Sequence, residues 1–506
     1  MTTPAQGQTA VIWENRDCLP RRFGFSGSPG IKVASLGYFS SPLDVFLQFF
    51  PEHLFDYIAD QTNKYADDHQ SVNLDSHRKD WFSTTSDEIK ALVSLVILMG
   101  IMPKPDVQAY WSREPTIETP FFGNTMSRDR FLQLQANMRF NNNNDDDGTD
   151  RLFKLRPVIK TLTKNFKRVY IPSQDVTTCE SHLKIHDREK RKQHSPDKRA
   201  HFSIRIFKTC QSTGDAVGYT WNMKISTGKD HGAVMPRSAR AVLDLNKDLL
   251  DRGYNIFLDS KSSSPALFLR LRDRQTNACG TVRLHQRQMP SDLKKVKLKR
   301  GECAFRSSDC GLLALIWKDK KEVKMLSTIH SAAMQETGKS DRHGKQILKP
   351  SCILDHSRCR GAVELSDQLA SSHHSMWRSV KWYRKLFFYM VDLCLVNSFL
   401  VSRLLGRETT YLDFRMALVK EILHTVTLPV YNKRGRPHAL PAPNRLTGWH
   451  FPITLPPTEK TPNPCRRCVV CKSEGRRRET RYACDTCNVP LCVHPCFKTY
   501  HTERDY

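Results

Sequence analysis

Hydrophobic positions along the chain fall into two regimes. In the first third they recur at helical spacing. Leu43, Val45, Phe46, Phe49, Phe50, Leu54 and Ile58 form one stripe, which Pro51 divides into two helices. Ser83 to Ser86 offers N-caps for an apolar helix over Ile89–Met102, which Pro103 ends. Ser127 caps a further helix over Arg128–Phe140, and Leu152–Phe166 is helical again. Near Val169 the period changes. Phe202 to Phe207 alternates as a half-buried strand does, with Ala216–Asn222 as its hairpin partner. Ala239–Leu250 reads as a helix, Val282–Leu284 as a short strand, and Leu312–Trp317 with Glu322–Ser327 as two strands around a charged turn. Helices return from Trp377 to Arg403 and from Asp413 to Thr425. The stretch Leu386–Leu405 is the most apolar, but Asp392, Asn397 and Arg403 interrupt it, so it reads as a buried helix rather than a membrane span.

One short run stands out. Ile256, Phe257 and Leu258 lead straight into Asp259, and Ser262, Ser263 and Ser264 follow before Pro265. A continuous apolar run of this kind fits a buried strand, with a carboxylate at its exit. Two roles for Asp259 stay open at this point: a metal ligand, or a cap for the helix that starts near Pro265.

Composition narrows the choice of partner. The chain has 506 residues, and its 79 basic against 52 acidic residues give a formal charge of +27. A polyanion is the expected partner, nucleic acid first. The basic run Lys294–Arg300 is a candidate phosphate contact. Lys433-Arg434-Gly435-Arg436-Pro437 has the form of an AT-hook, in which glycine lets the backbone lie in a narrow minor groove and the arginines enter its negative potential. Met1–Thr9 is polar, so no secretory leader is expected.

Seven of the 16 cysteines lie between Cys465 and Cys496. Cys468, Cys471, Cys484, Cys487, Cys492, Cys496 and His501 form a zinc signature, because thiolate pairs at this spacing suit tetrahedral coordination. Two ions need an eighth donor, for which Cys465 and His494 are the candidates. The neighbouring Arg476, Arg477 and Arg478 give this module a DNA-contacting surface, with protein binding as the competing role.

Downstream of Asp259 come Thr276 to Arg283 (Thr-Asn-Ala-Cys-Gly-Thr-Val-Arg) and Met289-Pro290. Together these segments resemble the piggyBac transposases, especially their domesticated members, and the resemblance runs from about Gly27 to His501. It implies an α/β fold: a ribonuclease-H-like catalytic core with an insertion, embedded in a helical dimerisation and DNA-binding domain, plus a C-terminal cross-brace zinc domain. The expected divisions are an extended arm over 1–40, helices over 41–172, the core over 173–290, an insertion over 291–349 and the third acidic motif over 350–379. Helices with the AT-hook-like segment follow over 380–439, then a Pro-rich linker over 440–464 and the zinc domain over 465–506.

The family cuts DNA with three aspartates that hold two divalent metals, magnesium or manganese. The resemblance places Cys179 at the first aspartate position, Asp259 at the second and Glu364 at the third, with Asp367 next in the same motif. A thiol is a poor ligand for a hard cation. Glu180 is adjacent to Cys179, but neighbours on a strand face opposite ways. Lys261 is expected to bring a cation near any metal pair. The resemblance therefore implies a nuclear, homodimeric DNA-binding protein, deficient in cleavage and strand transfer, with A·T-rich or TTAA-containing DNA as partner and no membrane. An active metal-dependent transposase acting at TTAA sites, and a chromatin factor that binds proteins through its zinc domain, are the two alternatives.

Overall fold

A computed structural model describes residues 11–70, 81–184, 203–227, 235–340, 344, 346–375, 381–431, 449–458 and 461–503. The chain divides into two compact units, one of residues 1–103 and 130–428, the other of residues 104–129 and 429–506. The AT-hook-like residues Lys433 to Pro437 lie outside the described residues.

Along the chain, β1 (Trp13–Glu14) and β2 (Gly30–Ile31) precede α1 (Pro42–Phe49), α2 (Glu52–Gln70) and α3 (Ser86–Ile101). Next come α4 (Pro120–Thr125), α5 (Arg128–Asn137) and α6 (Arg156–Val169). The strand-rich part is β3 (Tyr170–Ile171), β4 (Asp175–Lys184), β5 (Ser203–Gln211), β6 (Thr220–Ile225), α7 (Arg237–Asn246), β7 (Asn255–Leu258), α8 (Pro265–Asp273) and β8 (Asn277–Thr281). Then follow β9 (Cys303–Ser308), β10 (Leu313–Lys318), β11 (Glu322–Ser327), β12 (Met334–Ser340), β13 (Gln346–Pro350), α9 (Ser351–Cys359), α10 (Ala362–Ser372), α11 (Trp382–Leu404) and α12 (Tyr411–Thr425). The last elements are β14 (Pro452–Thr454), β15 (Arg466–Arg467), α13 (Val469–Ser473), β16 (Glu479–Thr480), β17 (Tyr482–Cys484) and α14 (Cys496–Thr502).

Local chemistry sets the helix starts. Ser41 and Asp44 form a reciprocal capping box on α1, Thr85 caps α3, and Thr410 caps α12. In the first unit nine strands form one sheet in the order β1-β9-β10-β11-β8-β7-β4-β5-β6. Its centre, β4, β7 and β8, is parallel, and the remaining pairs are antiparallel.

One expectation changes here and two gain detail. Residues 11–40 of the expected arm are tied down: β1 joins the sheet edge, and the Arg22 Nε–H donates to the Ile329 carbonyl at 2.8 Å. The segment taken as an insertion lies between the second and third acidic positions in sequence, yet β9, β10 and β11 extend the central sheet through β8. Leu313, Leu315, Trp317 and Met325 share one buried cluster with Phe257 of β7 and Cys352 of α9. The strand expected at Val282–Leu284 is instead Asn277–Thr281. Its small and polar residues carry no apolar run, and burial between β7 and β11 is what makes it a central strand.

That close packing depends on Gly280. A Cβ there would sit 2.5 Å from Ser263 Oγ and 2.6 Å from the Leu258 carbonyl oxygen, beside the exit of β7. Gly280→Ala is expected to cost about 1–3 kcal/mol by overpacking, read as a fall in the denaturation midpoint. An unchanged midpoint would show that this strand exit gives way freely.

The helix α11 is long and apolar enough to cross a membrane, but its whole apolar window is buried in protein. It packs against α1, α6, α10 and α12. Its buried Asp392 carboxylate accepts from Ser375 Oγ at 2.7 Å and lies 3.5 Å from the fully buried Arg415. Asp392, which broke the apolar run in sequence, thus ties α11 to Arg415 of α12.

Candidate functional site

The parallel register sets Thr178 of β4 opposite Leu258 of β7. The next residues, Cys179 and Asp259, therefore lie side by side where β7 ends. The Asp259 main-chain N–H points at the Cys179 sulfur. The Asp259 carboxylate accepts from the Ser262 N–H at 3.0 Å, which folds the chain into a tight turn. The cap of α8 is Ser264, whose hydroxyl accepts from the Leu267 N–H, so capping that helix does not explain Asp259.

Helix α10 packs across β4 and β5 and brings the third acidic motif to the same place. Burial, then the nearby charges of Asp259 and Glu364, push the Cys179 thiol up. The group at the first acidic position is thus a thiol held toward its neutral form, whereas a thiolate is what ligates metal. Glu364 is exposed.

Asp367, three residues on, is engaged inward. Lys208 of β5 stands opposite Cys179 across the sheet, and its side chain is 0% exposed. Its ammonium donates to Asp367 Oδ1 at 2.6 Å and to Ser366 Oγ at 3.0 Å, and the Tyr389 hydroxyl donates to the same carboxylate oxygen at 3.2 Å. Burial pulls the Lys208 ammonium down, but Tyr389, Cys210 and Asp367 more than offset this and hold it above the ordinary lysine range. Burial also pushes Tyr389 up to about 12. Among the described residues, Asp259, Glu364 and Asp367 do not form a group whose oxygens all lie within 4.8 Å of one another. A pair of hard cations needs convergent oxygen ligands. The donors here do not fit one: a thiol stands at one position, and an internal ammonium holds one carboxylate.

Lys261 is placed otherwise than expected. Its ammonium bonds Glu180 at 3.2 Å, on the face of β4 opposite Cys179. Lys208 was not singled out in the sequence, although a signal exists. Ile204, Ile206, Lys208 and Cys210 occupy alternate positions, and a lysine on that apolar face needs a buried partner.

In the second unit, two groups of four donors converge. Cys468, Cys471, Cys492 and Cys496 form one, all buried. His450, Cys484, Cys487 and His501 form the other. Cys471 and Cys496 sulfurs are 3.5 Å apart, Cys487 Sγ is 3.6 Å from His501 Nε2, and His450 Nδ1 is 3.4 Å from both Cys484 and Cys487 sulfurs. Tetrahedral zinc with bonds of about 2.0–2.3 Å requires such ligand separations, so both groups fit the ion. His450 completes this second group, and among the described residues Cys465 and His494, both exposed, lie in neither group. His450 lies within the segment expected to be linker. There β14 pairs with β17, so the module begins before Cys465. Arg476, Arg477 and Arg478 are exposed, and Arg476 pairs with Glu474.

Comparison with known proteins agrees with this geometry. The family described as Transposase IS4 matches residues 41–399, and a DDE transposase-like zinc finger family matches residues 458–502. The chain is 26% identical over 417 residues to human PiggyBac transposable element-derived protein 2, covering 78% of this chain and 67% of the relative. It is 24% identical over 479 residues to human PiggyBac transposable element-derived protein 3, covering 92% and 76%. In fold it is similar to a piggyBac transposase solved by cryo-EM as a synaptic complex with hairpin DNA, with a TM-score of 0.69 and 19% identity over 93% of this chain and 100% of that one. With a family match over more than half its length, and relatives and fold that agree, the chain belongs to the piggyBac family of DDE-type transposases.

Proposed function

We propose that this chain binds DNA through a transposase fold while lacking efficient cleavage and strand transfer. One observation carries the reading: the acidic site has the thiol of Cys179 where a carboxylate is needed beside Asp259, and Lys208 ties up Asp367. Ligands of a metal pair act as a unit, so losing one removes most of the activity. The charge of +27 supports a nucleic-acid partner, and the synaptic DNA complex of the structural relative suggests a homodimer on DNA. The AT-hook-like Lys433-Arg434-Gly435-Arg436-Pro437 supports A·T-rich or TTAA-containing sites and a nuclear location. Zinc would be held by Cys468, Cys471, Cys492 and Cys496 in one group and by His450, Cys484, Cys487 and His501 in the other. It supplies the cross-links that a module with so small a core lacks. Arg476, Arg477 and Arg478 then give the module a cationic surface for DNA.

A second reading is favoured by the register that sets Asp259 beside Cys179 and by the packing of α10 on β4, which brings Glu364 toward the same strand. These two carboxylates would hold a single magnesium or manganese ion and support slow nicking.

Manganese titration followed by electron paramagnetic resonance separates the two. The natural chain is compared with Cys179→Asp/Glu364→Asp, and with the same pair plus Lys208→Met. The expected result is tight binding by the triple variant, weaker binding by the double variant, and none by the natural chain. Equal binding by the natural chain and the triple variant would sink the cleavage-deficient reading, and nicking of TTAA-flanked DNA would then be measured.

A further inference from the structure

The face of the sheet opposite Cys179 carries a second concentration of charge that the acidic site does not use. Glu180, Phe207 and Lys224 stand in one row across β4, β5 and β6, and His182 and Arg205 form the next row. Helix α7 covers this face through Ala241 and Leu245, which pack on Phe207. Where β6 runs out and α7 begins, a cavity of about 220 Å³ opens. Lys224, Ser226, Thr227, Arg237 and Arg240 line it, with Phe207 among the apolar residues of its wall. No carboxylate lines it among the described residues. Asp244 is nonetheless near, paired with Lys224.

Three features point to an oxyanion. The lining has three cations and two hydroxyl side chains. Ser226 Oγ is buried with no hydrogen-bond partner among the described residues, so an acceptor that enters would satisfy it. The cavity is also smaller than the roughly 300–1,000 Å³ of a site for a drug-sized molecule, which suits a single phosphate group. The surroundings then favour a strand over a free ion. The Ser238 hydroxyl at the start of α7 donates to the Lys261 carbonyl at 2.9 Å, which joins the cavity to the turn that carries Asp259. Lys261 and Arg205 both pair with Glu180 beside that turn. A cationic track thus leads from the Asp259 turn to the cavity.

We infer that the cavity formed by Lys224, Ser226, Arg237 and Arg240 binds one backbone phosphate of a DNA strand passing the Asp259 turn. The inference rests on the DNA-binding reading above and names a site for it. Arginine forks and hydroxyls suit phosphate oxygens, and such contacts fix position without reading sequence.

The test uses the full chain and a fluorescently labelled DNA duplex, with affinity measured by anisotropy across a salt series. Arg237→Gln/Arg240→Gln is compared with the natural chain and with the charge-preserving Arg237→Lys/Arg240→Lys. Circular dichroism melts check that all three fold. The glutamine pair is expected to weaken binding severalfold. Its slope of log affinity against log salt should be shallower by about one, with much of the loss restored by the lysine pair. DNA binding by the natural chain that the glutamine pair matches in affinity and slope would overturn the cavity and leave the DNA-binding reading standing. Failure of the natural chain to bind DNA would remove that reading and the strand as occupant with it. If inorganic phosphate raises the melting point of the natural chain but not of the glutamine pair, while DNA affinities are equal, the site takes a free anion and the inference is wrong.

Discussion

His450→Ala is expected to halve the zinc content of the purified chain, from two ions to one. His450 Nδ1 lies 3.4 Å from the sulfurs of both Cys484 and Cys487 and completes a four-donor group with His501. Removing it leaves three donors and an open position, which a chelator can attack. The Cys468, Cys471, Cys492 and Cys496 group shares no donor with the altered one and should keep its ion. Structural zinc contributes about 10–16 kcal/mol in small finger domains, more than their apolar cores supply. Loss of the second ion is therefore expected to unfold β14 and β17, seen as protease cleavage near residues 449–458. Cys465→Ser and His494→Ala should leave zinc content unchanged. Metal release measured with a colorimetric chelator checks all three variants. Two ions in His450→Ala would return the search for the eighth ligand to Cys465 and His494.

The second large effect concerns the helical part of the first unit. Glu88 lies in the first turn of α3, three residues after the cap Thr85. That spacing is a capping-box pattern, but the carboxylate turns inward instead. Arg130 of α5 grips it with two bonds, Nε to Oε1 at 2.9 Å and Nη2 to Oε2 at 2.6 Å, and the two side chains are 2% and 1% exposed. Phe82 covers the guanidinium, with its ring centroid 3.5 Å from the Arg130 central carbon. Glu88→Ala leaves a buried guanidinium without its carboxylate and is expected to cost about 3–5 kcal/mol. Glu88→Met/Arg130→Met removes both charges and should recover most of that loss, since a buried pair often exchanges for apolar packing at little cost. Denaturant midpoints of the two variants decide it. A single variant as stable as the double would show that water reaches Arg130 and replaces the lost partner.

Much of this protein is legible from neighbouring residues alone. Pro51 and the caps Ser41 and Thr85 set helix ends, because capping acts within one turn of chain. The strand exit at Asp259 follows from the apolar run before it. The spacing of six cysteines, with His501 after Cys496, marks a set of donors, and these are side chains that the structure brings together in two groups.

Tertiary structure decided the features that depend on distant partners. Asn277–Thr281 becomes a central strand because β7 and β11 bury it, while its own residues are small and polar. His450 is 18 residues before the first ligating cysteine, and only the pairing of β14 with β17 brings it to Cys484. Lys208 and Asp367 are far apart in the chain, and the packing of α10 on β5 makes them an ion pair. Short-range propensities act through bonds and turns and are written along the sequence. Burial, coordination and ion pairing act through space, so they exist only once the sheet and its helices have assembled.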